Sequence, residues 1–205
     1  PRNGGNMATI QGVDCSNWQG TVDWVQVKNS GRDFAFIKAS EDDDYLDPYF
    51  AANWHGARAA ELELRAAYHF ARPDISSPSA SVSLLVHALQ AVGGLHEGET
   101  VMLDLEVGSG NLLTWTAEWL DLAERVFGVR PILYSGHWFA GPHGIENAGL
   151  GKYPLCWASY QDTPPPAPAG WDKLTFWQNS AHASVPGISG DCDTDVFFGD
   201  YLQLR

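Results

Sequence analysis

The order of apolar and amphipathic segments along the chain is the feature that most constrains its fold. In the first two thirds, strand-length apolar runs alternate with helix-length amphipathic segments, whereas in the last third strands follow one another with short connections. Repeated strand–helix units imply a mostly parallel sheet. About eight strands, five of them followed by a helix or a long loop, favour an α/β fold with a closed or nearly closed barrel. A doubly wound open sheet is the alternative. The strand-like runs are TIQGVDCS, DFAFIKAS, LRAAYHFARP, VMLDLEV, RPILYS, YPLCWASY, KLTFWQNS and GDCDTDVF.

Two helices have well-marked ends or faces in the sequence. Ser77 followed by Pro78 predicts the start of one helix, and Gly93 predicts its end. A second helix follows the fourth strand and stops before Pro131. Its predicted buried face consists of Leu112, Trp115, Trp119, Leu122 or Ala123, and Val126.

The chain is interpreted as one domain. The proline-rich segment QDTPPPAPAG is short for a linker, and strand-like runs continue directly after it, so we predict a surface loop. The domain is expected to cover residues 10–205, preceded by a flexible segment over residues 1–9. Neither a signal peptide nor a membrane span is predicted, because the chain shows no basic-then-apolar opening and no run of about 20 apolar residues.

Composition narrows the classes of partner. The net charge of −13 argues against nucleic acid or an anionic membrane as a ligand. Nine Trp in 205 residues are many, and surplus aromatic side chains often line ligand grooves. The three Cys are too few for a disulfide framework and are interpreted as small core residues. We expect a monomer.

Polar or aromatic side chains follow each predicted strand at the point where the strand ends. In a parallel barrel these ends converge on one face, where such enzymes place their active sites. Any one of them alone could equally be a turn former or a helix cap. Strand by strand they are Asp14; Lys38 and Glu41; Tyr68 and His69; Asp104 and Glu106; Tyr134 and Ser135; Trp157 and Tyr160; Trp177 and Gln178; Asp193 and Asp195.

The pair Asp104 and Glu106 carries the most chemical information. Strand side chains alternate, so these two carboxylates point the same way and Leu105 points the other way. Crowding and an apolar setting raise the pKa of at least one carboxyl group. A protonated acid beside an ionised partner is the arrangement that glycosidic bond cleavage requires. Clustered carboxylates also bind divalent metals, so a metal site is an open alternative here.

Histidine and nucleophile chemistry have less support in the sequence. None of the seven His lies in an H-E-x-x-H motif or another paired zinc-ligand spacing. No G-x-S-x-G nucleophile motif occurs either. The acids are therefore the leading candidates for catalysis.

Taken together, eight segments resemble those of family-25 glycoside hydrolases, the Chalaropsis-type lysozymes of bacteria, fungi and phage endolysins. The resemblance covers residues 10–198 and implies a modified TIM-like barrel of five β/α units followed by three strands with few helices. It implies a single catalytic domain that cleaves the β-1,4 bond between N-acetylmuramic acid and N-acetylglucosamine in peptidoglycan. The segments, in order, are GVDCSNWQGTVDW, FAFIKASEDDDYLDPYF, AAYHFARP, VMLDLEV, PILYS, PLCWASY, FWQNS and VPGISGDCDTDVF.

The resemblance also implies roles for individual residues. Glu106 would be the general acid and later the base, and Asp104 would orient the substrate 2-acetamido group in a substrate-assisted retaining mechanism. Asp14 and Asp193 would complete the acidic cluster. No metal or other cofactor is implied. The implied groove-lining residues are Lys38, Tyr68, Tyr134, Trp157 and Trp177.

Two features depart from the family pattern, and two other functions stay open. Cys15 stands where Val is common, and DDDY follows Glu41 in place of the usual Gly. The resemblance places the protein at the bacterial cell wall, reached by secretion or phage delivery.

The alternative functions are a non-catalytic glycan-binding module and a metal-dependent hydrolase of another polymer.

Overall fold

The structure, a computed structural model, describes residues 9–199. The predicted flexible segment therefore lies outside the described residues except for Thr9, as do residues 200–205 of the predicted domain. The strands of the described part are β1 (Thr9–Cys15), β2 (Arg32–Glu41), β3 (Tyr45–Leu46), β4 (Leu64–Phe70), β5 (Glu99–Asp104), β6 (Ile132–Gly136), β7 (Leu155–Ala158), β8 (Phe176–Ala183) and β9 (Cys192–Phe198). The helices are α1 (Trp24–Asn29), α2 (Phe50–Ala59), α3 (Pro78–Ala91), α4 (Leu112–Phe127) and α5 (His137–Ala140).

Eight of these strands close into a barrel. Neighbouring strands pair in the order β1-β9-β8-β7-β6-β5-β4-β2, and β1 also pairs with β2, which completes the ring. β9 is antiparallel to both of its neighbours, whereas the other strands of the ring pair in parallel. β3 is a two-residue strand that pairs with the end of β2. The predicted barrel of five strand–helix units followed by three strands is confirmed, and the open sheet is excluded.

The proline-rich segment connects two strands of the same barrel. β7 and β8 lie on either side of it in the sequence and pair with each other in parallel. A segment with this placement is a surface connection within the sheet. Among the described residues, no helix combines the length and apolar character needed to cross a bilayer.

The structure places the ends of α3 and α4 close to the positions predicted from the sequence. One side chain that was predicted to be buried is exposed. The Ser77 hydroxyl accepts a hydrogen bond from the backbone N–H of Ala80 at the start of α3. α4 ends at Gly128, whose φ of 68° is one that glycine adopts without strain. Val126 is 48% exposed, however, so its predicted place on the buried face is wrong. The buried stripe continues instead from Ala123 to the partly buried Phe127, four residues on.

Two apolar clusters lie on the two sides of the barrel wall. Inside the barrel, the aromatic rings of Phe34, Phe36, Phe176 and Phe197 pack with centroid separations of 4.6–6.4 Å. Outside it, the helices pack against side chains that point away from the barrel axis. The phenyl cluster fills the interior with side chains, so polar groups of the strands are left to the mouth.

Candidate active site

A cavity of about 480 Å³ opens at the mouth of the barrel. The carboxyl ends of the parallel strands lie at this mouth. β9 runs the opposite way, so it is the start of this strand, with Asp193, that lies there. Of the residues predicted for the site, those that line the cavity are Asp14, Lys38, Tyr68, Asp104, Glu106, Tyr134 and Asp193.

The two acids of the fourth predicted strand face the cavity together. β5 ends at Asp104, but the chain stays in register with β6 for one more residue. The Leu105 N–H donates to the Tyr134 carbonyl at 3.0 Å, and the Leu105 carbonyl accepts from the Ser135 hydroxyl at 2.8 Å. Leu105 is thereby buried in the outer core, and Asp104 and Glu106 both lie on the cavity side.

Burial and mutual repulsion shift the titration of these acids. Burial, followed by the charge of Glu106, raises the pKa of Asp104 well above its ordinary value. Burial, followed by the charge of Asp193, raises the pKa of Glu106. The cavity can therefore hold a protonated carboxylic acid at a pH where an exposed Glu would be ionised.

The other two acids are shifted in the same direction. Burial raises the pKa of Asp14 well above its usual range, with further contributions from the charges of Asp193 and Asp195. Burial also raises the pKa of Asp193 to about 6, opposed by nearby His182. Asp14 and Asp193 are cross-strand partners on β1 and β9, so their proximity is built into the closure of the barrel.

Lys38 brings positive charge to this acidic cavity. Its Nζ lies 2.7 Å from Glu41 Oε2, and 5.0 Å from the ring centroid of Phe70. The positive charge of Lys38 lowers the pKa values of Asp104 and Glu106, against the larger effect of burial. The lysine thus favours the ionised form of both acids.

The structure places the two predicted tryptophans away from this cavity. Trp157 points outward from β7 into the outer core, while its neighbour Cys156 takes the inward position. Trp177 also points outward, and its indole N–H donates to the Ser159 carbonyl at 2.7 Å. It lines a separate surface groove beside the barrel mouth. In each case strand alternation gives the inward position to the neighbouring residue.

Among the other residues that line the cavity, Gln178 and Trp18 had no role assigned to them from the sequence. Gln178 is buried and lies on the inward face of β8, two residues beyond the inward-facing Phe176. Its position as a polar residue in an apolar strand was the available signal. Trp18 lies on the turn after β1 and is 85% exposed. No sequence pattern distinguishes an exposed tryptophan on such a turn from a buried one.

Replacing Asp193 by Asn is expected to stabilise the protein at neutral pH. The folded-state pKa of about 6 exceeds the unfolded value of about 3.9, so the folded state loses stability as pH rises through 6. Asp193→Asn should therefore unfold at a higher temperature than the wild type at pH 7, and the difference should disappear near pH 4. Calorimetry of both proteins from pH 4 to 8 measures this. A difference that is absent at pH 7, or that grows toward pH 4, would contradict the assignment.

The spacing of the four acids in the cavity does not favour the alternative of a metal-binding site. Among the described residues, the His, Cys, Asp or Glu side chains that bring three ligand atoms within 4.8 Å of one another are Asp42, Asp43 and Asp44. This trio lies in the loop after β2, and none of its members lines the cavity. The four acids of the cavity are thus more dispersed than a compact oxygen-ligand set.

A family match and two relatives of known type indicate the same class of enzyme. Residues 13–188 match the family described as glycosyl hydrolases family 25. Lysozyme M1 of Streptomyces globisporus is 33% identical over 95% of this chain and 70% of its own length. The N,O-diacetylmuramidase of a Chalaropsis species is 31% identical over 90% of this chain and 96% of its own length.

A solved structure agrees with these relatives. The bacterial lysozyme of Streptomyces coelicolor superposes with a TM-score of 0.86 at 31% identity, covering 97% of this chain and 96% of that one. The comparisons do not favour a binding module without catalysis or a metal-dependent polymer hydrolase. The barrel, its acidic mouth and these matches show that the chain is a glycoside hydrolase and belongs to glycosyl hydrolases family 25.

Proposed function

We propose that the chain is a muramidase that hydrolyses the β-1,4 bond between N-acetylmuramic acid and N-acetylglucosamine in peptidoglycan. The observation that carries this proposal is the pair Asp104 and Glu106, two carboxyl groups with raised pKa values on one side of the cavity. Relatives named as a lysozyme and a muramidase support the choice of substrate. The protein would act at the bacterial cell wall as a monomer, without a metal or other cofactor.

Glu106 suits the role of general acid and base. It is partly buried, so it can meet the substrate and still hold its proton at a higher pH than an exposed Glu would. In the first step Glu106 gives its proton to the glycosidic oxygen as the bond from that oxygen to C1 breaks. In the second step Glu106 takes a proton from the water that attacks C1.

Asp104 suits the role of orienting the 2-acetamido group. Its Oδ1 is buried and accepts no hydrogen bond from the residues that the structure describes. An amide N–H of the bound sugar would satisfy this oxygen. The acetamido carbonyl oxygen would then bond to C1 as the leaving group departs, and the later attack of water would reopen that ring. Two inversions at C1 give net retention.

The remaining cavity residues would hold the sugar and tune the acids. Asp14 and Asp193 extend the negative field that stabilises positive charge developing at C1. Lys38, Tyr68 and Tyr134 offer donors and acceptors along the same wall. These three residues are therefore the proposed substrate-binding residues inside the cavity.

Mass analysis of digestion products tests this function. Purified peptidoglycan is digested, the products are reduced with borohydride, and the sugar that carries the new reduced end is identified. A muramidase produces new reduced ends on muramic acid. New ends on glucosamine would instead indicate a glucosaminidase. Digests that release no product would contradict glycan hydrolysis altogether.

Trp18→Ala is expected to weaken binding of long glycan substrates without unfolding the protein. Trp18 lies on a turn that a hydrogen bond holds in place: the N–H of the preceding residue, Asn17, donates to Asp47 Oδ2 at 2.7 Å. An exposed aromatic ring at the rim of a cavity suits packing against the apolar face of a sugar. We expect KM for soluble peptidoglycan fragments to rise about tenfold, with little change in kcat.

The control for this prediction is Val126→Ala, which removes an exposed apolar side chain from the surface of α4. Its kinetics should equal those of the wild type. An unchanged KM in Trp18→Ala would show that the indole does not contact the substrate.

A further inference from the structure

Gln178 is a buried residue at the centre of a hydrogen-bond network that the steps above do not use. Its side-chain Oε1 accepts from the Tyr134 hydroxyl at 2.8 Å and from the Tyr160 hydroxyl at 3.0 Å. Its Nε2 donates to Asp14 Oδ2 at 3.4 Å, a long hydrogen bond. The residue is 1% exposed, so it meets these partners without competition from bulk water. One amide therefore joins three residues around the barrel mouth.

In the structure, the amide oxygen of Gln178 faces the two tyrosines and its NH₂ group faces Asp14. The two hydroxyl donors occupy the two lone pairs of Oε1, which leaves the NH₂ group toward Asp14. An ionised carboxylate can only accept hydrogen bonds, so Nε2 complements it. The opposite orientation would bring the amide oxygen against the carboxylate, which is repulsive unless Asp14 is protonated. The Gln178 N–H thus favours the ionised form of Asp14, against the burial and the neighbouring carboxylates that raise the pKa of this acid.

The same network limits what Tyr134 offers to a bound sugar. A tyrosine hydroxyl has one proton, and Tyr134 gives that proton to Gln178. The side of the Tyr134 oxygen that faces the cavity then carries only lone pairs. Toward a substrate, Tyr134 can accept a hydrogen bond but cannot donate one.

We propose that Gln178 is a positioning residue: it fixes Tyr134 as an acceptor for an N–H or O–H group of the bound sugar and stabilises the ionised form of Asp14. The part of this inference that concerns the bound sugar rests on the proposed function. The part that concerns Asp14 is a property of the protein alone. The two parts are therefore tested by different measurements.

The first measurement is a carbon NMR titration of the Asp14 carboxyl group in the protein without substrate, with Asp14→Asn used to identify the signal. Burial and the charges of Asp193, Asp195 and Asp104 raise the pKa of Asp14, and a hydrogen bond from Tyr68 lowers it. Loss of the Gln178 donor is expected to raise it further. We expect the midpoint in Gln178→Leu to move to higher pH by about one pH unit. Gln178→Glu, which keeps an acceptor for both tyrosines but loses the donor, should move it the same way. A midpoint that stays in place or moves to lower pH would overturn the inference.

The second measurement is the kinetics of peptidoglycan cleavage. Gln178→Leu should lower kcat about tenfold or more, because Tyr134 and Asp14 lose their fixed geometry. Gln178→Glu should retain more of kcat than Gln178→Leu, since it still anchors Tyr134. Equal kcat values in the wild type and Gln178→Leu would remove the proposed role at the bound sugar.

Asn179→Leu is the matched control for both measurements. Asn179 is the next residue on β8, its side chain lies on the opposite face, and its Oδ1 accepts from the Thr194 hydroxyl at 2.8 Å. The substitution removes an amide and one hydrogen bond from the same strand. It should leave the Asp14 midpoint and kcat unchanged, and matching losses in both variants would reduce Gln178 to a structural role. If the chain did not cleave peptidoglycan, the titration would still decide the interaction with Asp14.

Discussion

Glu106→Gln is expected to lower the turnover of peptidoglycan by about a thousandfold or more. The amide is almost the same size as the carboxyl group but cannot give a proton to the leaving oxygen, and general acid–base catalysis contributes about 10²–10⁴ in rate. Removing a carboxyl group whose pKa is raised by burial and by Asp193 should not destabilise the fold. The initial rate of release of reducing ends, measured beside the unfolding temperature, tests both expectations.

The control is Glu118→Gln, the same chemical change at an exposed position on α4. This variant should cleave peptidoglycan at the wild-type rate. If Glu106→Gln retained turnover near that of the control, the general acid would have to be another residue. Substrate binding by Glu106→Gln should persist, which also makes this variant useful for trapping complexes.

Asp104→Asn is expected to lower kcat by about a hundredfold or more and to move the basic limb of the pH profile to lower pH. The first effect follows from the loss of an oriented carboxylate beside the 2-acetamido group. The second follows from the mutual interaction of the two acids: the charge of Glu106 raises the pKa of Asp104, and an ionised Asp104 raises the pKa of Glu106 in turn. A neutral Asn removes that contribution, and Glu106 loses its proton at lower pH.

The pH dependence of kcat, measured for Asp104→Asn and the wild type over the same range, tests this. Asp121→Asn serves as the control because it only removes one partner of an exposed ion pair with Arg125 on α4. Unchanged kinetics in Asp104→Asn would remove its proposed role. If kcat fell strongly but the basic limb did not move, Asp104 would orient the substrate without raising the pKa of Glu106.

The barrel could be predicted from the sequence because the signals for each strand and helix lie within the segment itself. Each strand is an apolar run of recognisable length, the two longest helices have marked ends, and helices become scarce after β6. The acids of the cavity could be predicted for a similar reason, since the spacing of Asp104 and Glu106 alone places both on one side of a strand. Convergence at the mouth then follows from parallel pairing.

The orientation of the last strands could not be read from the sequence. In LCWA of β7 and FWQ of β8, apolar residues occupy adjacent positions, so alternation does not reveal which of them points inward. The aromatic residues were the natural choice for a groove, and Trp157 and Trp177 were predicted there. The outer core behind β7 and the surface beside β8 accept these indoles instead, and the small Cys156 and polar Gln178 point inward. Pairing between strands resolves that choice.

The antiparallel pairing of β1 with β9 has a consequence for the order in which the protein gains activity. Asp14 and Asp193 face each other across these strands, although almost the whole barrel sequence separates them. Contacts of such long sequence separation carry a large loop-closure entropy cost, which makes them slow to form. During synthesis the earlier strands leave the ribosome before β9 does, and a domain generally folds as a unit. The acidic mouth stays incomplete throughout that time, so a nascent chain has no assembled site with which to attack a glycan.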